Sequence, residues 1–505
     1  MSYLHLKVPP TRDIRLRPCN AYGGNLENLV CGQKEGCLSN NGRTFAQTTG
    51  CQLTLAMGMA ASIPNTVVIY HGPVGCGAGS LGLAGQSKMS QQARGNDDAV
   101  GRVWMSTNLS EVDIVSGGEK KLEAAILEAE RRFRPHAIFI GNTCVPAIIG
   151  DDIDNVATRL QDRVNARIIP LHCEGFKTRF VATAYDIVYH GILRYLLGNQ
   201  HDRKPIIEDE AAQIAYELRR KKTVNLLNVG SMGYVDEVEL VRLLNAIGLE
   251  ANVYPCFTSP EKFVKVKDAA LSISICATHD DYFVEHLKEH YGVPYVLNTI
   301  PIGTDNVRLW LLDVADFFGI REEALKVIAA EEAELNKALE PLRKSFVGKT
   351  AFVSTGEIRA GAQACMLEND LGIKVVGIRA HHYDEFGEIV FENFKDRDDV
   401  TINVAANQPF EQVNLLRRLK PDLYLGHGNS NVWAAKQGVP VLPIYGPNNS
   451  YLGYKGIFEV ASRLERILSN PRWYNTLGET TQLPYKESWY EQDPYLYIRQ
   501  TTEAA

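Results

Sequence analysis

Three features that mark other classes of protein are missing from this sequence: a long apolar run, a cationic stretch and a secretory leader. No uninterrupted apolar segment approaches the roughly 18 residues that a membrane span requires. The N-terminus, MSYLHLKVPPTRDIRLRP, does not carry the apolar core of a secretion signal. Because 60 Asp and Glu outnumber 53 Lys and Arg, the net charge is −7. The sequence therefore predicts a cytoplasmic protein that binds neither nucleic acid nor a membrane.

A nucleotide-binding loop is missing as well. The glycine-rich turn HGPVGCGAGS, residues 71–80, follows the apolar run NTVVIY as a phosphate loop would follow its strand. The turn does not end in Gly-Lys-Ser/Thr, and the pattern G-x-x-x-x-G-K-S/T occurs nowhere in the chain. We therefore expect that the chain by itself does not hydrolyse ATP.

The ten cysteines match neither a disulfide framework nor a zinc site. They are spread along the chain, and cytosolic thiols stay reduced. Cys31 and Cys37 have five residues between them, which misses the C-x2–4-C spacing of zinc pairs. Cys76 lies between Gly75 and Gly77, whose backbone can approach a cofactor closely and donate hydrogen bonds to sulfide. This pattern suits an iron–sulfur cluster, although a lone cysteine is more often a small buried apolar residue.

A repeated order of strand, turn and helix runs through the chain. Short apolar, β-branched runs alternate with amphipathic stretches such as GEKKLEAAILEAERRF, residues 118–133. The runs cover residues 65–70, 136–144, 166–173, 223–230, 271–278, 294–303, 350–356, 373–380, 400–406, 421–428 and 439–446. Continuous apolar strands between helices predict parallel sheets that are covered on both faces. We expect an α/β protein of three doubly wound, Rossmann-like domains with ligands at the carboxyl ends of the strands.

Charge-rich breaks near residues 198–222 and 330–348 set the expected domain boundaries. The predicted division is an N-terminal arm (1–50), a first α/β domain (51–218), a second (219–345), a third (346–480) and a C-terminal tail (481–505).

Four sequence segments resemble one known family. They are GCQLTLAMGMAASIPNTVVIYHGPVGCGAG, STNLSEVDIVSGGEKKL, GNTCVPAIIGDDIDNV and PLHCEGF, and they are similar to α-type chains of nitrogenase component 1 and its paralogues. Cys51, Cys76 and Cys144 match the three cysteines that in this family hold half of a cluster at the α/β interface. Downstream, the segment ISICATHDDYF places Cys276 at the position of the family's active-site cluster ligand.

The sequence departs from nitrogenase itself at positions around the active-site cluster, which we call the inner cluster. Val181, Tyr185 and Asn429 stand at positions that are polar or basic in nitrogenase. The histidine that binds the terminal metal of the nitrogenase cofactor has no counterpart in this sequence, and Tyr445 is the residue nearest to its position. Arg359, in GEIRAGAQ, matches an arginine that lines the pocket. The resemblance therefore implies an inner 8Fe–9S–C type cluster without molybdenum–homocitrate. At the interface it implies either an 8Fe–7S cluster of the P-cluster type or a 4Fe–4S cluster.

Two functions fit this pattern. The first is an oxidoreductase that resembles the methylthio-alkane reductases, which cleave C–S bonds of small thioethers; the alternative is the α-type chain of the scaffold that assembles the nitrogenase cofactor. Tetrapyrrole reductases of the family lack the downstream cysteine, so Cys276 argues against them. His381, His382 and His427 follow strands and are candidate proton donors or a second cofactor ligand, with a structural role as the alternative.

The resemblance also implies protein partners. One is a homologous β-type chain in an α2β2 heterotetramer, and the other is a separate ATP-dependent 4Fe–4S iron protein that delivers electrons. We expect a small-molecule substrate.

Overall fold

The computed structural model describes residues 3–500 with the exception of 47–49, 79–80, 100, 178, 199–208, 229–232, 393, 395–396, 428 and 445–448. Its strands are β1 (Tyr22–Asn25), β2 (Asn41–Arg43), β3 (Thr66–His71), β4 (Val103–Ser106), β5 (Ala137–Asn142), β6 (Arg167–Leu171), β7 (Thr223–Leu227), β8 (Glu250–Tyr254), β9 (Leu271–Ser274), β10 (Tyr295–Val296), β11 (Thr350–Thr355), β12 (Lys374–Ala380), β13 (Thr401–Val404), β14 (Leu423–Gly426), β15 (Val441–Pro443) and β16 (Ile498–Gln500).

The helices precede, separate and follow these strands. They are α1 (Arg12–Leu16), α2 (Leu26–Lys34), α3 (Gln52–Ala60), α4 (Gly75–Ala78), α5 (Leu81–Ala93), α6 (Glu111–Ser116), α7 (Glu119–Phe133), α8 (Cys144–Ile149), α9 (Ile153–Leu160), α10 (Thr183–Gly191), α11 (Glu210–Arg220), α12 (Tyr234–Ala246), α13 (Pro260–Phe263), α14 (Ala277–Tyr291), α15 (Thr304–Phe318), α16 (Arg321–Arg343), α17 (Glu357–Cys365), α18 (Glu385–Glu392), α19 (Pro409–Leu419), α20 (Asn429–Ala435), α21 (Gly453–Ser469), α22 (Arg472–Thr480) and α23 (Glu487–Glu491).

The chain divides into two compact units. Unit 1 comprises Met1–Arg15, Gly50–Glu237 and Gly248–Leu297, and unit 2 comprises Leu16–Thr49, Val238–Ile247 and Asn298–Ala505. The predicted boundaries at residues 218 and 345 stay a prediction.

Unit 1 contains two parallel sheets of four strands each. Their strand orders are β4-β3-β5-β6 and β10-β9-β7-β8. Successive residues of β3 and β5 face opposite sides of the first sheet, so Val68 and Phe139 join one apolar cluster while Ile69 and Ile138 join another. Helices cover both faces, which explains why these strands are apolar throughout.

Unit 2 contains the third large sheet, with the order β1-β13-β12-β11-β14-β15. All neighbouring strands in this sheet are parallel except β1, which pairs antiparallel with β13 at the edge. A small antiparallel pair, β16 and β2, completes the unit. The predicted α/β class with parallel, Rossmann-like sheets is confirmed. Among the described residues, no helix combines the length and the apolar character needed to cross a membrane.

Candidate functional site

Three cysteines of unit 1 lie beside the carboxyl end of the first sheet. Cys51 immediately precedes α3, Cys76 lies in the short helix α4 that follows β3, and Cys144 is the first residue of α8 after β5. Strands β3 and β5 are parallel neighbours, with His71 paired to Asn142. The chain segments that follow them therefore leave the sheet side by side, and Cys76 and Cys144 lie on these two segments.

Two of the three thiols, those of Cys51 and Cys144, lie against Gly175. A Cβ atom on Gly175 would lie 3.1 Å from the Sγ atom of Cys51 and 3.3 Å from that of Cys144. Burial raises the pKa of the Cys76 thiol, a hydrogen bond with Thr143 opposes this, and the charges of Cys144 and Cys51 raise the pKa further. All three cysteines are partly exposed. Three thiols from separate segments interact with one another, and two of them lie against a residue without a side chain. This arrangement fits half of a shared iron–sulfur cluster.

The two glycines next to Cys76 differ in their surroundings. A Cβ on Gly77 would lie 2.7 Å from the ring of Trp104, so glycine is needed there for packing. A Cβ on Gly75 would meet nothing within 4 Å. The predicted cofactor contacts of both glycines stay a prediction.

A polar network behind the cysteines was not predicted. Glu174 is 1% exposed, and its carboxylate accepts a hydrogen bond from Asn142 Nδ2 at 3.0 Å. Gln52, directly after Cys51, donates to the Glu174 carbonyl at 2.9 Å. His172 contacts Asp154 through Nε2 at 2.7 Å and Glu174 through Nδ1 at 3.5 Å. This network holds the segment that carries Gly175, and the polar residues of PLHCEGF were its only signal in the sequence.

Burial opposes protonation of His172, yet the histidine is held in its charged form. Its two carboxylate partners, Asp154 and Glu174, outweigh the cost of burial and raise the pKa of His172 to about 9. Burial would raise the pKa of Glu174, but its hydrogen bonds, above all with His172, lower it overall. The network is therefore ionic at neutral pH.

Cys276 lies between β9 and α14 and is 6% exposed. Its backbone N–H donates to Ser274 Oγ at 2.8 Å. Asp280, in the first turn of α14, accepts hydrogen bonds from Tyr189 at 2.5 Å, from Asn228 at 3.1 Å and from Ser274. Burial raises the pKa of Asp280 to about 7, although all three donors lower it. The sequence prediction missed this carboxyl, whose only signal was its place shortly after a strand-end cysteine.

Two predicted pocket residues lie on or just before α10. Val181 is partly buried in the turn before the helix, and Tyr185 is buried within it. The Tyr185 ring stacks on His279 with 4.0 Å between centroids. Since His279 is in the first turn of α14, Tyr185 lies beside the helix end that Cys276 caps.

The candidates in unit 2 follow three adjacent strands. Arg359 lies on α17 after β11, His381 follows β12, and His427 follows β14. The rings of His381 and His427 meet edge to face at 4.8 Å between centroids, and Arg359 is 5% exposed. Burial, followed by the charges of Arg379 and Arg359, lowers the pKa of His427 to about 3. Burial and the neighbouring His427 and Arg379 lower the pKa of His381 well below its usual value, so both imidazoles are neutral at neutral pH.

Two further predictions cannot be compared with side-chain positions. Tyr445 lies outside the described residues, and of Asn429 the structure describes only the backbone, as the first residue of α20. Cys276 belongs to unit 1, whereas Arg359, His381 and His427 belong to unit 2.

Comparison with known proteins identifies the family. Residues 51–469 match the family model described as nitrogenase component 1 type oxidoreductase. The nitrogenase molybdenum-iron protein alpha chain of Methanosarcina barkeri is 28% identical over 87% of this chain and 87% of its own length. The nitrogenase iron-molybdenum cofactor biosynthesis protein NifE of a Nostoc species is 26% identical over 89% of this chain and 88% of its own.

A solved structure supports the same assignment at the level of the fold. The structure titled "Nitrogenase Cp1 at pH 5" superposes with a TM-score of 0.71, at 22% identity, over 92% of this chain and 100% of the other. The family match covers the segments that hold Cys51, Cys76, Cys144 and Cys276. The chain belongs to the nitrogenase component 1 type oxidoreductase family.

Proposed function

We propose that this chain is the α-type subunit of a nitrogenase-like iron–sulfur reductase that cleaves C–S bonds of methylthio-alkanes. The observation that carries the proposal is that the Cys51 and Cys144 thiols lie against Gly175 and that Cys76 interacts with both of them. They would hold half of an interface cluster, with the remaining ligands from a β-type chain of an α2β2 assembly. Cys276 would hold the inner cluster.

Reductive cleavage of a methylthio-alkane consumes one electron pair and two protons and releases an alkane and methanethiol. When bound, the clusters would supply electrons of low potential, which a thioether needs because its C–S bond is weakly polar. Because the chain has no phosphate-loop motif, a separate 4Fe–4S iron protein would hydrolyse ATP and deliver the electrons.

The side chains have separate roles in this proposal. Arg359 supplies a fixed positive charge, and the neutral rings of His381 and His427 offer a ligand nitrogen or an N–H donor. The apolar Val181 suits the methyl groups of a thioether, each of which gains about 0.8 kcal/mol on leaving water.

Exposed apolar side chains of α6 and α8 are our candidate docking surface for the iron protein. Val112 and Val115 of α6 are 73% and 89% exposed, and Ile148 of α8 is 72% exposed. Helix α6 packs against α8, whose first residue is Cys144. We call these three residues the α6–α8 apolar surface. An apolar centre is typical of a protein interface.

A scaffold for cofactor assembly is the second candidate. NifE proteins of several organisms match this chain with identity and coverage close to those of the nitrogenase α chains. A scaffold would bind the same clusters and pass the inner one to another protein without turning over a thioether.

One experiment separates the two candidates. The anaerobically purified complex is supplied with iron protein, ATP and reductant, and gas chromatography measures methanethiol and hydrocarbon released from thioethers. We expect both products from the unmodified complex. With Cys276→Ala we expect loss of both products while the interface cluster stays. Cys365→Ala, a buried cysteine of unit 2, is the control and should retain activity. If the complex makes neither product but transfers its cluster to cofactor-free nitrogenase, the scaffold function is correct.

A further inference from the structure

A second cluster of potential metal ligands lies in unit 2 and contains no cysteine. Glu357, His382 and Asp384 each offer a ligand atom, and these atoms lie within 4.8 Å of one another. Glu357 begins α17 after β11, while His382 and Asp384 lie in the loop between β12 and α18. The three residues are 1%, 6% and 0% exposed. The cluster is thus formed by the segments that follow two adjacent strands.

The distances in this cluster fit metal coordination better than a pair of ionic hydrogen bonds. His382 Nε2 lies 3.2 Å from Glu357 Oε1 and 3.5 Å from Asp384 Oδ2. Charge-assisted N–H···O bonds are about 2.7–2.9 Å long, and a single N–H cannot point at two carboxylates equally well. Ligands at about 2.0–2.1 Å around a tetrahedral metal ion are separated by about 3.3–3.4 Å. The two distances from His382 Nε2 lie around that value.

The ligand types point to a class of metal ion. Carboxylate and imidazole together suit Mn²⁺, Fe²⁺ and Zn²⁺.

The surrounding backbone fixes the positions of the ligands. Asp384 Oδ1 accepts a hydrogen bond from the Phe386 N–H at 3.1 Å, which directs Oδ2 towards His382. Tyr383, between the two loop ligands, exchanges backbone hydrogen bonds of 2.9 and 2.8 Å with Cys19. A Cβ on Gly387 would lie 3.0 Å from Glu357 Cγ, so glycine is needed for α18 to approach this carboxylate. Such support of ligand groups is typical of metal sites.

We propose that Glu357, His382 and Asp384 form a site for a divalent transition-metal ion, separate from the cysteine sites. The ion would tie the segment after β11 to the segment after β12. Arg359 lies two residues after Glu357, and His381 directly precedes His382, so the ion would hold both candidate pocket residues in place. This site does not depend on the proposed reductase function.

Mn²⁺ is the probe for the test, because it prefers oxygen and nitrogen ligands to thiolates and so avoids the cysteine sites. The full complex is purified anaerobically, treated with a chelator and titrated with Mn²⁺, and room-temperature electron paramagnetic resonance measures the free ion. We expect one bound Mn²⁺ per chain in the unmodified protein. In Glu357→Gln and His382→Gln the affinity should fall roughly tenfold or more. His190→Gln, which alters a buried histidine of unit 1 bonded to Tyr282 and Leu6, is the control and should bind Mn²⁺ normally.

Two measurements guard against misfolded variants. Mn²⁺ should raise the Tm of the unmodified complex and of His190→Gln but not that of His382→Gln, because only an ion bound to the native state stabilises it. Crystals of the unmodified complex soaked in Mn²⁺ should give an anomalous peak at the manganese edge between the three side chains. Equal Mn²⁺ binding by the unmodified protein and the Glu357 and His382 variants, or an anomalous map without that peak, would overturn the site.

Discussion

The cysteines of this chain fall into different environments. Cys173 is completely buried, and burial raises the pKa of its thiol well above the usual value. Burial likewise raises the pKa of Cys365 to about 12. Cys51, Cys76 and Cys144 are partly exposed and share one neighbourhood. Because a cluster needs several thiolates in one place, the mutual interactions of Cys51, Cys76 and Cys144 make this group the better candidate than Cys173 or Cys365.

Replacing Cys76 by alanine should remove the interface cluster. Cluster thiolates couple metal binding to assembly, so we expect Cys76→Ala to lose much of its interface iron and to associate more weakly with the partner chain. Iron content per chain and size-exclusion chromatography measure the two effects. Cys31→Ala, at an exposed cysteine, should behave like the unmodified protein. Full iron content and normal assembly in Cys76→Ala would show that this thiol is not a ligand.

His172 should make the stability of the chain depend on pH. Its folded-state pKa of about 9 lies above the unfolded value of about 6.5, so its stabilisation is complete below about pH 6.5 and is lost as the pH rises through about 9. His172→Gln should therefore destabilise the protein by on the order of 2–3 kcal/mol near pH 6.5 and by much less near pH 10. Chemical unfolding at both pH values measures this difference. An equal loss at both would exclude the ionic contribution.

Helix α1 is anchored by buried charges. Arg12 Nη1 lies 3.1 Å from Asp281 Oδ1 and 3.6 Å from Asp186 Oδ1, and Arg15 binds the same two carboxylates at 2.8 and 2.9 Å. Asp186 lies on α10 and Asp281 on α14. Burial raises the pKa of Asp186 to about 6 although both arginines lower it. Helix α1 therefore joins α10, which carries Tyr185, to α14, which directly follows Cys276.

Removing one of these arginines should be costly. Arg12→Met leaves two buried carboxylates with one cation, and breaking a buried ion pair costs about 3–5 kcal/mol. We expect a corresponding fall in the free energy of unfolding, measured by urea denaturation. The matched control is Arg417→Met, which removes an exposed ion pair with Glu487 and should change the free energy of unfolding much less. A similar small effect of both substitutions would mean that the buried group does not anchor α1.

The proposed function requires a partner that supplies electrons, and we expect this partner to dock at the α6–α8 apolar surface. Val115→Asp introduces a charge at its most exposed residue and should lower ATP-dependent turnover at least severalfold by weakening the docking of the iron protein. Cluster content should not change. Turnover is measured at increasing concentrations of iron protein. We expect Val115→Asp to raise the concentration that gives half of the maximal rate.

A matched substitution elsewhere on unit 1 tests the specificity of this effect. Ile214→Asp changes an apolar residue of α11 that is 55% exposed and should leave turnover unaltered. If Val115→Asp turns over normally at every concentration of iron protein, docking takes place elsewhere.

Most elements of the sheets were predictable. Every one of the eleven apolar runs contains a strand, because a strand covered on both faces is apolar throughout. The missed strands lacked this signal. In β8 (Glu250–Tyr254) only Tyr254 is buried and Glu250 is exposed, and the residues of β4 are all partly exposed. Edge strands need fewer apolar residues, and both β4 and β8 lie at sheet edges.

The sequence by itself determined the family, the parallel α/β class and the four candidate ligand cysteines, because these depend on local patterns and on motifs in a fixed order. Only the tertiary structure showed that Gly175 lies between two of the thiols, that Asp280 is buried with three donors, and that Glu357 meets His382 and Asp384. These contacts join residues on different strand-end segments. The contact partners, burial and pKa values of these residues depend on strand order and register, which no local pattern of residues specifies.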